Sequence, residues 1–455
     1  MSGARWRLHG LARNPGAPAG ILLRILASGD DDVRRALLWR PGVPAEVHAA
    51  AASHPDAGVR LLLADNWYVP AARRALLAAD PSAAVRAAVA AGPNPFHAEV
   101  PFEPLPAGTC VVLARDPDPA VREELALCRR TPAEARAVLV TDPEPDVRAI
   151  AVAWWEDPPE DVIDALLTDP SPHVREAAAR AGYRTRPPLA AALLDGPGAA
   201  EVAADAPLDR PDATRLARSP DPSLRAAVAA NPHLPADLAD ELSRDPDPAV
   251  RLAASLRPEL TEEQRAAIDY AVEPGTVLDP PRWTAGPGVL RRCATSAHPV
   301  LRQAAARSPR LPPDLVETLA RDPDTVVRAL LAEHHPDAPA DLLLRTLLES
   351  PLPARWTLLD HPAFPREALS RLADSDDPFL RTLIVHDPRC PPATVERLLT
   401  DPDDLVRLTM AADPRLPQPR ILELLHDPDL AGAAASNPAL PAEAVHAILT
   451  EAGIP

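Results

Sequence analysis

An all-α fold of stacked helical repeats, with no β-sheet, is predicted from three observations. The first is a period. The stretch NPHLPADLADELSRDPDPAVRLAAS at 231–255 returns as SPRLPPDLVETLARDPDTVVRALLAE from Ser308, as DPRCPPATVERLLTDPDDLVRLTMAA from Asp387, as HPAFPREALSRLADSDDPFLRTLIVH from His361 and as RPGVPAEVHAAAASHPDAGVRLLLAD from Arg40. The second is helical spacing inside each unit. The third is the position of the prolines, at both ends of the apolar runs, where they remove the donors a strand ladder needs.

Arginines mark the period: Arg34, Arg60, Arg86, Arg122, Arg148, Arg175, Arg225, Arg251, Arg302, Arg328, Arg355, Arg381 and Arg407. Most neighbours in this series lie 26 residues apart. The intervals before Arg225 and Arg302 are about double, so each holds one degenerate unit, and roughly sixteen units form one continuous array over 1–455. Residues 92–108 (around NPFHAEVPFEPLP) are an insertion. Residues 257–290 are a degenerate repeat with an insertion. Residues 1–13 and 437–455 are expected to cap the two ends.

Within 231–255, Pro235 is placed at the first position of a helix, where its missing N–H costs nothing. Leu234, Leu238 and Leu242 follow at i, i+4, i+8 as one apolar stripe. Asp245-Pro246 ends the helix, because a residue before proline leaves the α region. A second, shorter segment starts at Asp247, an N-cap, with Pro248 in the first helical position and Val250, Ala253 and Ala254 on its apolar face. Asp30, Asp56, Ser82, Asp118, Ser171, Asp221, Asp324, Asp377 and Asp403 occupy the same cap position elsewhere. The short second segment suits α or 3₁₀ geometry. One unit buries about five side chains at roughly 1.5–3 kcal/mol each. Ordering its backbone costs roughly 1–2 kcal/mol per residue. Only stacking on neighbours closes that deficit, which makes the fold a solenoid.

Composition agrees. Sixty prolines suggest disorder, but 46% of the 455 residues are hydrophobic, enough to pack a core. Aromatics are 3%, so that core is aliphatic. Every basic residue is arginine, and the wealth of Ala, Pro and Arg points to a GC-rich bacterial genome. The net charge of −18 gains nothing from counterion release, so nucleic acid is not the expected partner. The N-terminal stretch MSGARWRLHGLARNPG lacks the apolar region of a secretory signal. No run reaches the roughly 18 apolar residues of a membrane span, and four cysteines are no disulfide framework. A reduced, cytoplasmic setting is expected.

The unit N-P-x-L-P-x-x-L-x-x-L-x-x-D-P-D-x-x-V-R-x-x-x-A resembles the leucine-rich repeat variant family, a relative in style of HEAT and armadillo repeats. The resemblance covers nearly the whole chain. It implies α-helices alternating with 3₁₀-helices in a right-handed superhelix. Some members hold an iron–sulfur centre on an N-terminal cysteine cluster. Here the first cysteine is Cys110, and the cluster is not carried over.

Candidate chemistry is sparse. The marker arginine (Arg251, Arg328, Arg407) sits early in the second helix, where the dipole disfavours a cation. Its recurrence therefore implies a partner in the Asp-Pro hinge or among free helix carbonyls of its own or an adjacent unit; the other reading is a ligand-facing row. With Asp247, Pro248 and Val250 it is read as repeat structure. Cys390, Cys293 and Cys110 fall in core slots and Cys128 in the inter-unit loop, at the Asn231 position. His334-His335 is the only histidine pair, at a unit junction, and no converging metal ligands are visible. No catalytic motif is present. Trp39, Trp67, Trp154 and Trp155 lie five to seven residues after their marker arginines and are candidates for an aromatic partner-binding strip, or for gap fillers in an Ala-rich core.

The expected function is a non-enzymatic scaffold binding a protein or peptide, without cofactor or metal. The alternatives are a HEAT-like enzyme of DNA glycosylase or lyase type, and an iron–sulfur redox protein.

Overall fold

The computed structural model describes residues 3–93, 103–196, 198–273, 275–286, 288–349 and 354–455. Among them all regular structure is helical, arranged as an all-α repeat solenoid. Among the described residues no helix is long and apolar enough to cross a membrane.

The unit at 231–255 shows why. Its first helix is Ala236–Leu242, and Pro235 is the residue before it, with φ −54° and ψ 140°. The proline thus stands one position earlier than expected. Its fixed φ suits the extended cap residue, and at Pro312-Pro313 and Pro391-Pro392 a second proline follows as the first helical residue. Leu234, Leu238 and Leu242 are buried. The second helix, Pro248–Ser255, is α-helical and is capped by Asp247, whose carboxylate accepts from the Ala249 N–H at 2.8 Å. Val250 and Ala254 are buried beneath it.

The same cap recurs at Asp30, Asp56, Asp118, Asp221, Asp324, Asp377 and Asp403. Ser82 departs from it: its hydroxyl makes no cap bond. Instead the Ser82 N–H is held by Asp80 at 2.9 Å. Second helices are mostly α. The 3₁₀ pieces Ala75–Ala79, Arg282–Ala285, Arg366–Asp374 and Leu383–His386 are scattered, so a regular α/3₁₀ alternation is not seen in the described residues.

Layers pack second helix on second helix: Pro222–Ala230 on Pro248–Ser255, and Ala83–Ala91 on Pro119–Leu127. Contacts divide the chain into two compact units, Met1–Ala178 with Glu367–Pro455, and Ala179–Arg366. The first division falls after Arg175, in the interval where the period is degenerate.

In the first unit, the segments expected to cap an open stack pack on one another. The first helix, Gly3–Arg13, lies against the helix Ala431–Ala435 on one side and Asp31–Leu38 on the other, and also touches the last helix, Ala442–Glu451. It takes the place of a second helix, so one layer is assembled from the two ends of the sequence. Leu8, Leu11 and Ala12 are buried there. The insertion at 92–108 lies largely outside the described residues. The stretch 257–290 retains a first helix, Glu262–Ala266, and its described residues form no second helix before the 3₁₀ turn Arg282–Ala285.

Candidate functional site

The marker arginines are consumed by the repeat. Arg225 Nη1 donates to the hinge carbonyls of Ser219 and Pro220 at 2.9 and 3.4 Å. Its Nε and Nη2 grip both oxygens of Asp245 in the next unit at 2.8 and 2.9 Å. Asp245 also accepts from the Asp247 N–H at 2.8 Å, and its carbonyl accepts from Arg251 at 2.8 Å. The same fork joins Arg60 to Asp80, Arg86 to Asp116, Arg122 to Asp142, Arg148 to Asp169, Arg302 to Asp322 and Arg381 to Asp401. The guanidinium bonds hold the carboxyls of Asp80, Asp116, Asp245 and Asp401 below their ordinary range.

Four markers, Arg175, Arg251, Arg328 and Arg407, keep the hinge contact and lose the fork. Arg251 turns to the Asp269 carbonyl, because a degenerate unit follows it. Arg328 reaches Glu349 at 3.4 Å. Arg407 bonds the Asp401 and Pro402 carbonyls at 2.7 and 3.0 Å and pairs with Asp404 of its own helix. Arg355 lies outside the described side chains.

A second ladder, unanticipated from the sequence, runs through the inter-unit junction. Asn66 Nδ2 donates to the Leu38 carbonyl at 2.7 Å. Asn231 reaches Ala203 and Ala206 at 2.7 and 2.8 Å. Asn437 reaches Ala411 and Asp413 at 3.2 and 2.7 Å. Asn14 makes the same contact with the other end of the sequence, to Ala435 and Asn437 at 3.0 and 2.7 Å. Its signal was the N-P dipeptide at 14–15, shared with 231–232 and 437–438.

That end-to-end layer creates a groove of about 960 Å³. One wall is the first helix, with Trp6, His9, Gly10 and Arg13 on one face at helical spacing. The opposite wall is the helix Asp404–Ala411, with Leu405 and Leu408. The floor between them is the helix Ala431–Ala435 with its C-cap Ser436, where Gly432, Ala433 and Ser436 present little side chain. Ala433 stands 26 residues after Arg407, in the slot of a marker arginine, and this substitution sinks the floor. Three large apolar side chains therefore face solvent around one hollow: Trp6 is 47% exposed, Leu405 53% and Leu408 39%. The Trp6 ring meets His9 edge-on at 6.3 Å. Burial, with help from Arg13, holds the His9 imidazole below its ordinary value. Arg13 is exposed.

The anticipated tryptophans do not form one strip through ring contacts. Trp39 and Trp67 meet edge-to-face at 4.8 Å, and Tyr68 joins Trp67 at 5.6 Å. Trp154, 40% exposed, is instead covered by the Arg129 guanidinium at 4.5 Å. Trp155 is half-buried. Trp6 was missed because it follows no marker arginine.

Cys110, Cys293 and Cys390 are buried thiols and Cys128 is half-buried. Burial pushes the Cys110 thiol up to about 11. His335 Nε2 contacts the Leu311 carbonyl at 3.3 Å and its Nδ1 accepts from the Asp337 N–H at 3.1 Å, so the ring closes a junction. Among the described residues no group of three His, Cys, Asp or Glu is placed to hold a metal.

One constellation looks catalytic and is not built for it. His298 Nε2 lies 3.0 Å from Ser255 Oγ, both fully buried. Its Nδ1 accepts from the Val300 N–H at 3.2 Å, which puts the proton on Nε2 and makes the ring a donor to the serine. Tyr270 stacks on the ring at 4.3 Å. Burial, reinforced by Arg265, holds His298 down at about 3. The histidine fills the cap slot that aspartate holds elsewhere.

No known protein family matches the chain, and no curated protein is similar to it.

Proposed function

We propose that the chain is a non-enzymatic scaffold of the leucine-rich repeat variant type, and that the groove between Trp6 and Leu405/Leu408 seats an apolar segment of a partner protein or peptide. The observation that carries this reading is the convergence of those three exposed apolar side chains on a hollow floored by Gly432 and Ala433. Leaving such a patch in water has a cost that a partner removes, and an aromatic beside a hollow is a common anchor site. Arg13 on the rim favours a carboxylate next to the anchor. Four free thiols suit the cytoplasmic setting expected from the sequence.

A displayed peptide library panned against the full chain tests it. Peptides with an apolar anchor and a nearby acidic residue are expected to enrich. Leu408→Arg should abolish their binding with the melting temperature unchanged. No enrichment, or binding that survives Leu408→Arg, overturns the reading.

A further inference from the structure

The degenerate unit at 257–290 holds an extended segment of the chain itself. From Thr276 to Pro280 the backbone is not helical, and exposure alternates: Thr276, Leu278 and Pro280 are half-buried, while Val277 and Asp279 face solvent. Two is the period of an extended strand. Side chains of the helix Pro299–Ala306 and its cap grip this main chain. Gln303 Nε2 donates to the Thr276 carbonyl at 3.1 Å, and its Oε1 accepts from the Leu278 N–H at 3.4 Å. Arg307, the C-cap, donates from Nη1 to the Leu278 carbonyl at 3.3 Å. The three main-chain groups lie on one edge of the segment, as alternate residues of a strand place them.

The first helix carries the same pair of slots. An x-Pro-x-x-Pro turn follows each helix, starting at Asn14 and at Ser308. His9 and Gln303 stand five residues ahead of that turn, and Arg13 and Arg307 one residue ahead. His9 and Arg13 both line the groove. A neutral imidazole offers one donor and one acceptor, as an amide does, and burial holds His9 toward that form.

We propose that the groove takes its occupant as an extended peptide segment whose main chain is held by His9 and Arg13, with an apolar side chain lowered between Trp6 and Leu408 and an acidic residue immediately after it. This rests on the binding reading given above, and it specifies the conformation selected and the residues that hold it. The segment at 276–280 supplies the pattern: half-buried Leu278 is followed by exposed Asp279. Neighbouring side chains of a strand point to opposite faces. An anchor turned to the floor therefore turns the next residue outward, to the rim where Arg13 lies. The Arg13 guanidinium has enough donors for both the anchor's carbonyl and that carboxylate. Gly432 and Ala433 leave the floor low enough for a main chain to lie along it. Leu405 and Leu408 on the opposite wall meet side chains only, so the polar grip is one-sided.

The probe is the acetylated, amidated peptide Gly-Thr-Val-Leu-Asp-Pro-Pro, which copies residues 275–281, titrated into the full chain by calorimetry. It is expected to bind the parent and to fail with Leu408→Arg. Replacing the peptide's leucine amide by an ester removes its N–H without adding bulk. That change should weaken binding to the parent about tenfold. His9→Ala should itself bind the parent peptide about tenfold less, and the ester should then cost nothing further. An equal cost of the ester in parent and His9→Ala overturns the main-chain grip. Should His9→Ala not fold, the ester on the unaltered chain decides, and an unchanged affinity refutes the inference. If display-enriched peptides bind and this probe does not, the groove stands as a binding site and the extended mode falls. If neither binds, both readings fall.

Discussion

Gly10 of the first helix lies against Gly432, 422 positions along the sequence, so closely that a methyl group on Gly10 would overlap the Gly432 carbonyl. Backbone meets backbone here, and neither helix can move aside without losing the layer. Gly10→Val is therefore expected to undock the first helix. Trp6 emission should shift to the red and exchange of 3–13 should become fast. An unchanged exchange pattern would mean that the junction tolerates bulk and the contact is not tight.

The hinge carboxylates should matter more than their surface setting suggests. Asp116 is 8% exposed and holds both arms of Arg86. Asp116→Ala leaves that guanidinium facing a vacated partner, at a cost on the order of 3 kcal/mol. Denaturant unfolding of the variant measures it. A loss no larger than that of Asp240→Ala, an exposed partner of Arg244, would reduce the fork to decoration.

Acid should destabilise the fold in two ranges, both with the same sign. His298 is held at about 3 by burial, against about 6.5 when unfolded. Below that unfolded value the unfolded chain binds the extra proton and the folded chain does not. Stability therefore falls with falling pH from about 6.5 toward 3, by up to roughly 1.4 kcal/mol per unit. His9 and His48, also held low by burial, add to the slope. The fork aspartates, held low by their arginines, contribute above the ordinary carboxylate value and lose that contribution as pH drops through their lowered values. His298→Asn keeps an acceptor for the Val300 N–H and should flatten the upper range. Equal slopes for variant and parent would refute the assignment.

Asn231 is fully buried with both amide hydrogens engaged. Asn231→Leu strands the Ala203 and Ala206 carbonyls and should cost about 1–3 kcal/mol. Asn231→Asp should cost more, since a buried carboxylate would face two carbonyl oxygens. Thermal melts of both variants rank them, and a milder Asp variant would point away from a donor role.

How far each feature was legible depends on its range. Leu234, Leu238 and Leu242 revealed a helix face because helical contacts are local and repeat at fixed spacing. Asp247 revealed a cap for the same reason. Arg251 could be assigned a hinge partner, because that contact lies five and six residues away. The carboxylate arm of the fork, about 20 residues on in Arg225 and Asp245, needed the packing of one layer on the next. Trp154 was grouped with Trp39 by its offset from a marker. The offset fixes a place in the unit but not which neighbour covers the ring, and Arg129 does so here. Trp6, Gly10 and Gly432 were illegible: a contact across 422 positions leaves no periodic trace. Ala433 in an arginine slot and the Asn-Pro dipeptide at 14–15 were the available signs.

The sequence by itself determined the unit: two short helices, their proline starts and stops, their apolar faces, and the need to stack. These follow from backbone sterics and from the burial that a single unit cannot complete. The tertiary structure alone decided that the first helix completes a layer begun by the last, and that a groove opens where they meet. Stacking energy depends on which surfaces meet, not on their order along the chain, and the layer is closed by whichever helix fits.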